Sequence, residues 1–337
     1  MFKKIAFLLL LFPMILQAQI EPGKMGEELI TALQQTYTPS STLGYGPARD
    51  ILYSEIDNVG NDLFGIYTNF KVTLDPTMDP SVSAYQNGVG INAEHVYPQA
   101  FGAEDEPQRS DLHNIFPSKV SVNGARGSCE FGDIEDSDTE KWFFEATQLS
   151  TIPTSNIDEY SEKDEEDCKF EPRESVKGDI ARAVFYFYTI YQSAANGANP
   201  SFFHNQKEKL YEWHLGDPVD AKEEARNNGI TDKQGNANPF ILDVTLVQRA
   251  YFPNTSTKNL QTENWVSISS NLIEDDITIS SLKENGNVLL YSSVGHLMKS
   301  EKLQTETNLN LNGLTSGMYI LQIQSGTLIK VFRVFKK

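Results

Sequence analysis

The chain has 337 residues, of which 39% are hydrophobic and 11% aromatic. That is enough apolar material to bury a sizeable core, which excludes global disorder, and the length corresponds to two or three domains. A formal net charge of -18 argues against a protein steered onto nucleic acid by its overall charge, and no apolar run beyond the N-terminus approaches the roughly 20 residues that span a bilayer.

The chain opens with MFKKIAFLLLLFPMILQAQ, in which Lys3 and Lys4 precede an apolar stretch from Ile5 to Leu16 and the small Ala18. That order is a secretory signal peptide over 1–18, with cleavage expected after Ala18. A short membrane anchor is the competing reading, disfavoured by the brevity of the apolar core. Residues 19–255 read as one mixed globular domain. GEELITALQQTY has helical spacing, and FGIYTNFKVTL is strand-like. KGDIARAVFYFYTIYQSA repeats apolar residues at helical spacing through Ile180, Val184, Phe187, Tyr188 and Tyr191, with Arg182 and Thr189 on the other side. Between them, residues 130–174 hold sixteen acidic and four basic side chains. A solvated loop is expected there; a calcium-binding loop is the alternative, although regular EF-hand spacing is missing. Cys129 and Cys168 are the only cysteines, and in an exported chain an even count is compatible with one disulfide. Residues 256–264 read as a polar linker. From Trp265 to Lys337 short alternating runs separated by Gly, Asn and Ser predict a small all-β module.

Two of the five histidines fall in one window, GINAEHVYPQAFGAEDEPQRSDLHNIFPSKVSVNGARGS. Phosphodiester hydrolysis needs a water, a base for its proton, and positive charge on the phosphate. A neutral His95 suits the base at neutral pH. Glu94 and Asn123 offer oxygen ligands to a hard cation such as Mg²⁺, which keeps several waters. SKVSVNGAR can start a helix with Ser118 near its N-cap, so that Asn123 and Arg126 share a face. Two competing readings stay open at this point: a purely structural Glu-His pair, and a zinc site, which lacks the HExxH spacing.

The segments NAEHVYPQAF and DLHNIFPSKVSVNGARGS resemble the secreted bacterial endonuclease I family. ARDILYSEID, YTNFKV, FEPRESVKGDIARAVFYFYTIY, LYEWHLGDPVDAKEEARNNGI and QGNANPFILD extend the resemblance over most of 25–252. The resemblance implies a ββα-metal (His-Me finger) nuclease with His95 as general base and Glu94 and Asn123 as metal ligands. It implies structural or supporting roles for Asp111, His113 and Asn114, and phosphate contacts from Arg109 and Arg126. Lys119, Lys177 and Arg182 would complete a local basic cleft. NVLLYSSVGHLMKSE and LNLNGLTSGMYILQIQSGTLIKVFRVFKK resemble the type IX secretion sorting domain, with LTSGMY at Leu314–Tyr319 as its core.

The expected fold is therefore α+β, a ββα-metal nuclease domain followed by a small β-sandwich. The expected protein is a secreted, monomeric, metal-dependent endonuclease, extracellular or at the outer cell surface. Its partners would be DNA, with RNA as a second substrate, and the type IX machinery. Mg²⁺ is the expected cofactor, with Ca²⁺ and Mn²⁺ as alternatives. The rival is an inactive binding protein on a degenerate nuclease fold with an adhesive β-module.

Overall fold

The computed structural model describes residues 19–253, 265–270, 272–283, 286–292, 297–325 and 328–337. The expected signal peptide and linker lie outside the described residues. The chain divides into two compact units, Met1–Ser256 and Thr257–Lys337. Among the described residues, no helix is long and apolar enough to cross a membrane.

Helix Gly26–Tyr37 forms as its spacing predicts, burying Leu29, Ile30, Ala32 and Leu33 on one face. The FGIYTNFKVTL segment resolves into two short antiparallel strands, Asp62–Phe64 and Lys71–Thr73, because Asn69 takes a positive φ in the turn between them.

The centre of the unit is helix Lys177–Ile190. Every residue from Ile180 to Ile190 is buried, so the helix has no solvated side. This corrects the expectation for Arg182 and Thr189. Arg182 reaches Glu223 at 2.6 Å and Asp179 at 3.3 Å, while the Thr189 hydroxyl donates to the Phe185 carbonyl at 2.7 Å. A helix covered all round can carry polar residues only where each finds a partner. Phe185 and Phe187 are fully buried and each contributes roughly 1.5–3 kcal/mol. Helix Pro200–Gly216 packs against this core, capped by the Asn199 side chain on the Ser201 and Phe202 amides. Helix Ala221–Gln234 is capped by Asp220.

The acidic stretch is only partly a solvated loop: Glu135, Asp136, Asp138, Glu140 and Glu165–Asp167 are exposed between strands. It forms a five-stranded sheet in the order Glu130–Phe131, Lys169–Glu171, Ser161–Asp164, Lys141–Phe144, Thr147–Leu149. Strand Ser161–Asp164 is buried throughout despite its charges: Thr139 donates to Glu162 at 2.6 Å, and Lys163 donates to the Asp164 carbonyl at 2.6 Å. Cys129 and Cys168 are joined by a disulfide immediately before the two strands that pair in parallel.

The second unit has a three-stranded and a five-stranded sheet. Strand Asp276–Ser281 alternates buried and exposed residues, and Ile277, Ile279, Val288, Leu290, Leu321 and Val334 share one core.

Candidate active site

Strands Ile91–His95 and Ile115–Lys119 pair antiparallel, with Glu94 opposite Phe116 and His95 opposite Ile115. Helix Val120–Arg126 follows directly. Ser118 lies in the second strand rather than at the helix start, and Lys119 takes the N-cap position.

The loop between the strands is held by the three short polar residues of DLHN. Asn114 extends the pairing with its side chain, accepting from the Tyr97 amide at 2.7 Å and donating to the Tyr97 carbonyl at 3.1 Å. Asp111 accepts four bonds: from the hydroxyls of Tyr186 and Tyr191, the Gln234 amide and the His113 backbone. His113 donates from Nε2 to the Asn236 carbonyl at 3.0 Å and is buried.

Glu94 is 1% exposed. Its Oε1 accepts from the Tyr67 hydroxyl at 2.8 Å and from Arg126 at 3.1 Å. Burial pushes this carboxyl up to about 7, against the opposing pull of Arg126 and Tyr67. Oε2 takes no bond from the described residues, so it is the oxygen left for a further partner. Asn123 spends its Nδ2 on Asn92 Oδ1 at 3.0 Å and the Ala93 carbonyl at 3.1 Å. That fixes the amide and leaves Oδ1 as the atom able to accept or coordinate. A carboxylate oxygen and an amide oxygen, each held by a neighbour, fit a hard divalent cation. Among the described residues no three His, Cys, Asp or Glu side chains gather as a metal cage, here or in the acidic stretch.

His95 has both ring nitrogens engaged. Nε2 lies 2.9 Å from the Arg109 carbonyl, and Nδ1 lies 3.1 Å from the Gln99 amide nitrogen. A carbonyl only accepts, so Nε2 carries the hydrogen and Nδ1 keeps the lone pair. Burial lowers the ring to about 4, helped by the charges of Arg109 and Arg126. At neutral pH the ring is neutral and able to take a proton at Nδ1.

The arginines divide. Arg109 is exposed and stacks on Tyr45, 4.6 Å from the ring centroid. Arg126 is 1% exposed. It holds Glu94 and donates to the carbonyls of His95 and Val96 at 3.2 and 2.8 Å. The expectation of a phosphate contact from Arg126 does not fit this burial: at the C-terminal end of a seven-residue helix, it folds back onto the strand. Lys177 and Arg182 do not join a cleft either. Lys177 is tied to Glu171 and Glu174. Sequence reasoning missed Tyr67, Asn92 and Gln99, which hold Glu94, Asn123 and His95. Gln99 stood four residues from His95; Tyr67 and Asn92 carry no spacing signal.

What such a site can do is remove a proton from water beside bound positive charge, which is the chemistry of metal-assisted phosphodiester hydrolases. The comparisons agree. The chain belongs to the Endonuclease I family, whose model matches residues 25–244. The secretion system C-terminal sorting domain matches residues 271–337. The chain is 30% identical over 240 residues to an extracellular ribonuclease of Bacillus subtilis (strain 168), covering 65% of this chain and 72% of the relative. It is 34% identical over 143 residues to an extracellular deoxyribonuclease of Aeromonas hydrophila, covering 42% and 53%. A periplasmic deoxyribonuclease of Aeromonas hydrophila shares 31% over 140 residues, covering 41% and 50%. The chain is a secreted nuclease that hydrolyses phosphodiester bonds and carries a type IX sorting domain, and nucleases of its family are generally metal-dependent.

Proposed function

We propose that the protein is a Mg²⁺-dependent endonuclease of the His-Me finger type that cuts DNA and RNA alike. The observation that carries this reading is a neutral imidazole beside a held carboxylate, with the lone pair on Nδ1 met only by the Gln99 side-chain amide at 3.1 Å. Nδ1 of His95 takes the proton of the attacking water while the Arg109 carbonyl keeps the ring in that tautomer. The phosphorus–oxygen bond on the far side breaks. Glu94 Oε2 and Asn123 Oδ1 would hold the cation, and Arg126 and Tyr67 orient Glu94. When bound, the cation would supply positive charge for the phosphate and the leaving oxygen. Attack by a ribose 2′-hydroxyl would make RNA the sole substrate and would call for a second acid–base group. The nearest candidate by sequence, His113, is buried and bonded to Asn236, so the nucleophile is water and the sugar is not read. The relatives described as ribonuclease and as deoxyribonuclease accord with that tolerance. The test is digestion of plasmid DNA and of RNA by the mature chain with Mg²⁺ or EDTA, beside His95→Ala. Both substrates are cut with Mg²⁺ and neither with EDTA, and His95→Ala loses at least about 100-fold in rate. Cleavage of RNA alone, or a His95→Ala chain near full rate, refutes the reading.

A further inference from the structure

The first unit contains seven arginines: Arg49, Arg109, Arg126, Arg173, Arg182, Arg226 and Arg249. Five are bound to protein acceptors. Arg126 holds Glu94, Arg173 the Ile66 carbonyl, Arg182 Glu223, Arg226 Asp57, and Arg249 Asp243. The guanidinium groups of Arg49 and Arg109 have no hydrogen bond or ion pair among the described residues. These two sit together. Each guanidinium carbon lies 4.6 Å from the centroid of the Tyr45 ring, so they are no further apart than twice that distance. The same ring lies 5.6 Å from the His95 ring.

Two like charges against one aromatic ring repel each other, and the modest cation–π attraction at a partly exposed site does little more than offset that. Arg49 Nε is also buried without an acceptor, an unmet donor that costs stability in the free protein. Carboxylates are not in short supply: the chain has 46 acidic and 28 basic residues. The carboxylate near His95 in this loop, Glu106, accepts from Thr42 and Ser110 instead. Arg49 feels Asp79 only at longer range, and two guanidinia left without an ion pair in so acidic a protein are a place prepared for an anion.

Resting on the nuclease reading of the His95 site, we infer that Arg49 and Arg109, aligned by Tyr45, form one clamp for a backbone phosphate of the bound nucleic-acid strand. Arg49 is thus a substrate-binding residue outside the window that carries the acid–base and metal residues. Helix Tyr45–Ile51 brings it in from the N-terminal part of the chain.

The test is binding of a fluorescent DNA oligonucleotide to the mature chain carrying His95→Ala, across a series of salt concentrations. Adding Arg49→Gln is expected to weaken binding roughly tenfold and to lower the slope of log affinity against log salt by about one. Lys222→Gln removes one charge from an exposed site on the same unit and is expected to change affinity less than about twofold. In the active chain, Arg49→Lys is expected to raise KM and leave kcat within about twofold, with the melting temperature unchanged. If Arg49→Gln binds with the affinity and salt slope of its parent, the clamp is refuted while the nuclease reading stands. If Arg49→Gln fails to fold, the Arg49→Lys result decides: a fall in kcat and melting temperature with KM unchanged makes Arg49 structural and refutes the clamp. If the His95→Ala parent binds no DNA and the unmodified chain cuts none, the nuclease reading itself fails.

Discussion

Arg126 separates two accounts of this site, and replacing it tests which is right. Its side chain donates to Glu94 Oε1, the His95 carbonyl and the Val96 carbonyl, and it is 1% exposed. Arg126→Ala leaves a buried carboxylate without its cation, a change that typically costs about 3–5 kcal/mol. The guanidinium also covers the Phe131 ring at 4.5 Å, a contact that is lost with it. For a unit of this size, each kcal/mol lowers the melting temperature by roughly 2–4 °C. Arg126→Ala should therefore melt about 10 °C lower, or fail to accumulate as folded protein. Arg126→Lys keeps a charge for Glu94 but cannot reach two carbonyls with the same fork, and should lose about 1–3 kcal/mol. Both variants should need more Mg²⁺ for half-maximal cleavage, because Glu94 is no longer held. The assays are thermal melting and cleavage rate against Mg²⁺ concentration. A variant that melts like the unmodified chain, binds DNA about tenfold more weakly and has a salt slope reduced by about one would show Arg126 to be a phosphate contact. The structural account of Glu94 would then be wrong.

Other changes should be as plain. Asn123→Ala removes the amide oxygen fixed by Asn92 and Ala93, so cleavage should fall and partly recover at high Mg²⁺; a rate insensitive to Mg²⁺ titration removes Asn123 from the ligand set. His214 is buried with Nε2 donating to the Val244 carbonyl and Nδ1 unpartnered, and burial lowers its pKa from 6.5 to about 4. The unfolded chain binds the proton first, so this contribution is whole above about pH 6.5 and is lost as pH falls toward 4, roughly 3 kcal/mol in all. His214→Gln should flatten the fall in urea midpoint between pH 7 and 4, and an unchanged pH dependence would count against the assignment. A chain ending at Pro253 keeps the whole described part of the first unit. It should fold and cut DNA at the full-length rate; an insoluble or inactive product would tie the β-unit to catalysis.

Much of the site could be read from the chain because its residues are close in sequence. Glu94, His95, Asp111, His113, Asn114 and Asn123 fall within one window, and the structure gathers them on one strand pair, the loop that joins it and the helix that follows. Asn123 and Arg126 do share a face, as a spacing of three predicts: both reach the strand Ile91–His95. What the spacing could not show is that Arg126 is spent on Glu94 and two backbone carbonyls. The five-stranded sheet was hidden because Ser-Glu-Lys-Asp has no apolar alternation; its charges are satisfied by Thr139 and by backbone, which the binary pattern cannot register. Arg49 and Tyr45 were invisible for another reason. An unpaired arginine is defined by what does not approach it, and only the folded chain reveals that.

The four bonds to Asp111 also bear on when activity can begin. Two donors, Tyr186 and Tyr191, and a third, Gln234, lie 75, 80 and 123 positions further along the chain. A nascent chain complete through Arg126 already contains Glu94, His95 and Asn123, but the loop that supports His95 has none of those anchors. Catalytic competence therefore waits on the last helices of the unit. A polypeptide held extended for export would be harmless to the nucleic acids of the cell that makes it, and would acquire its cutting power only on collapse.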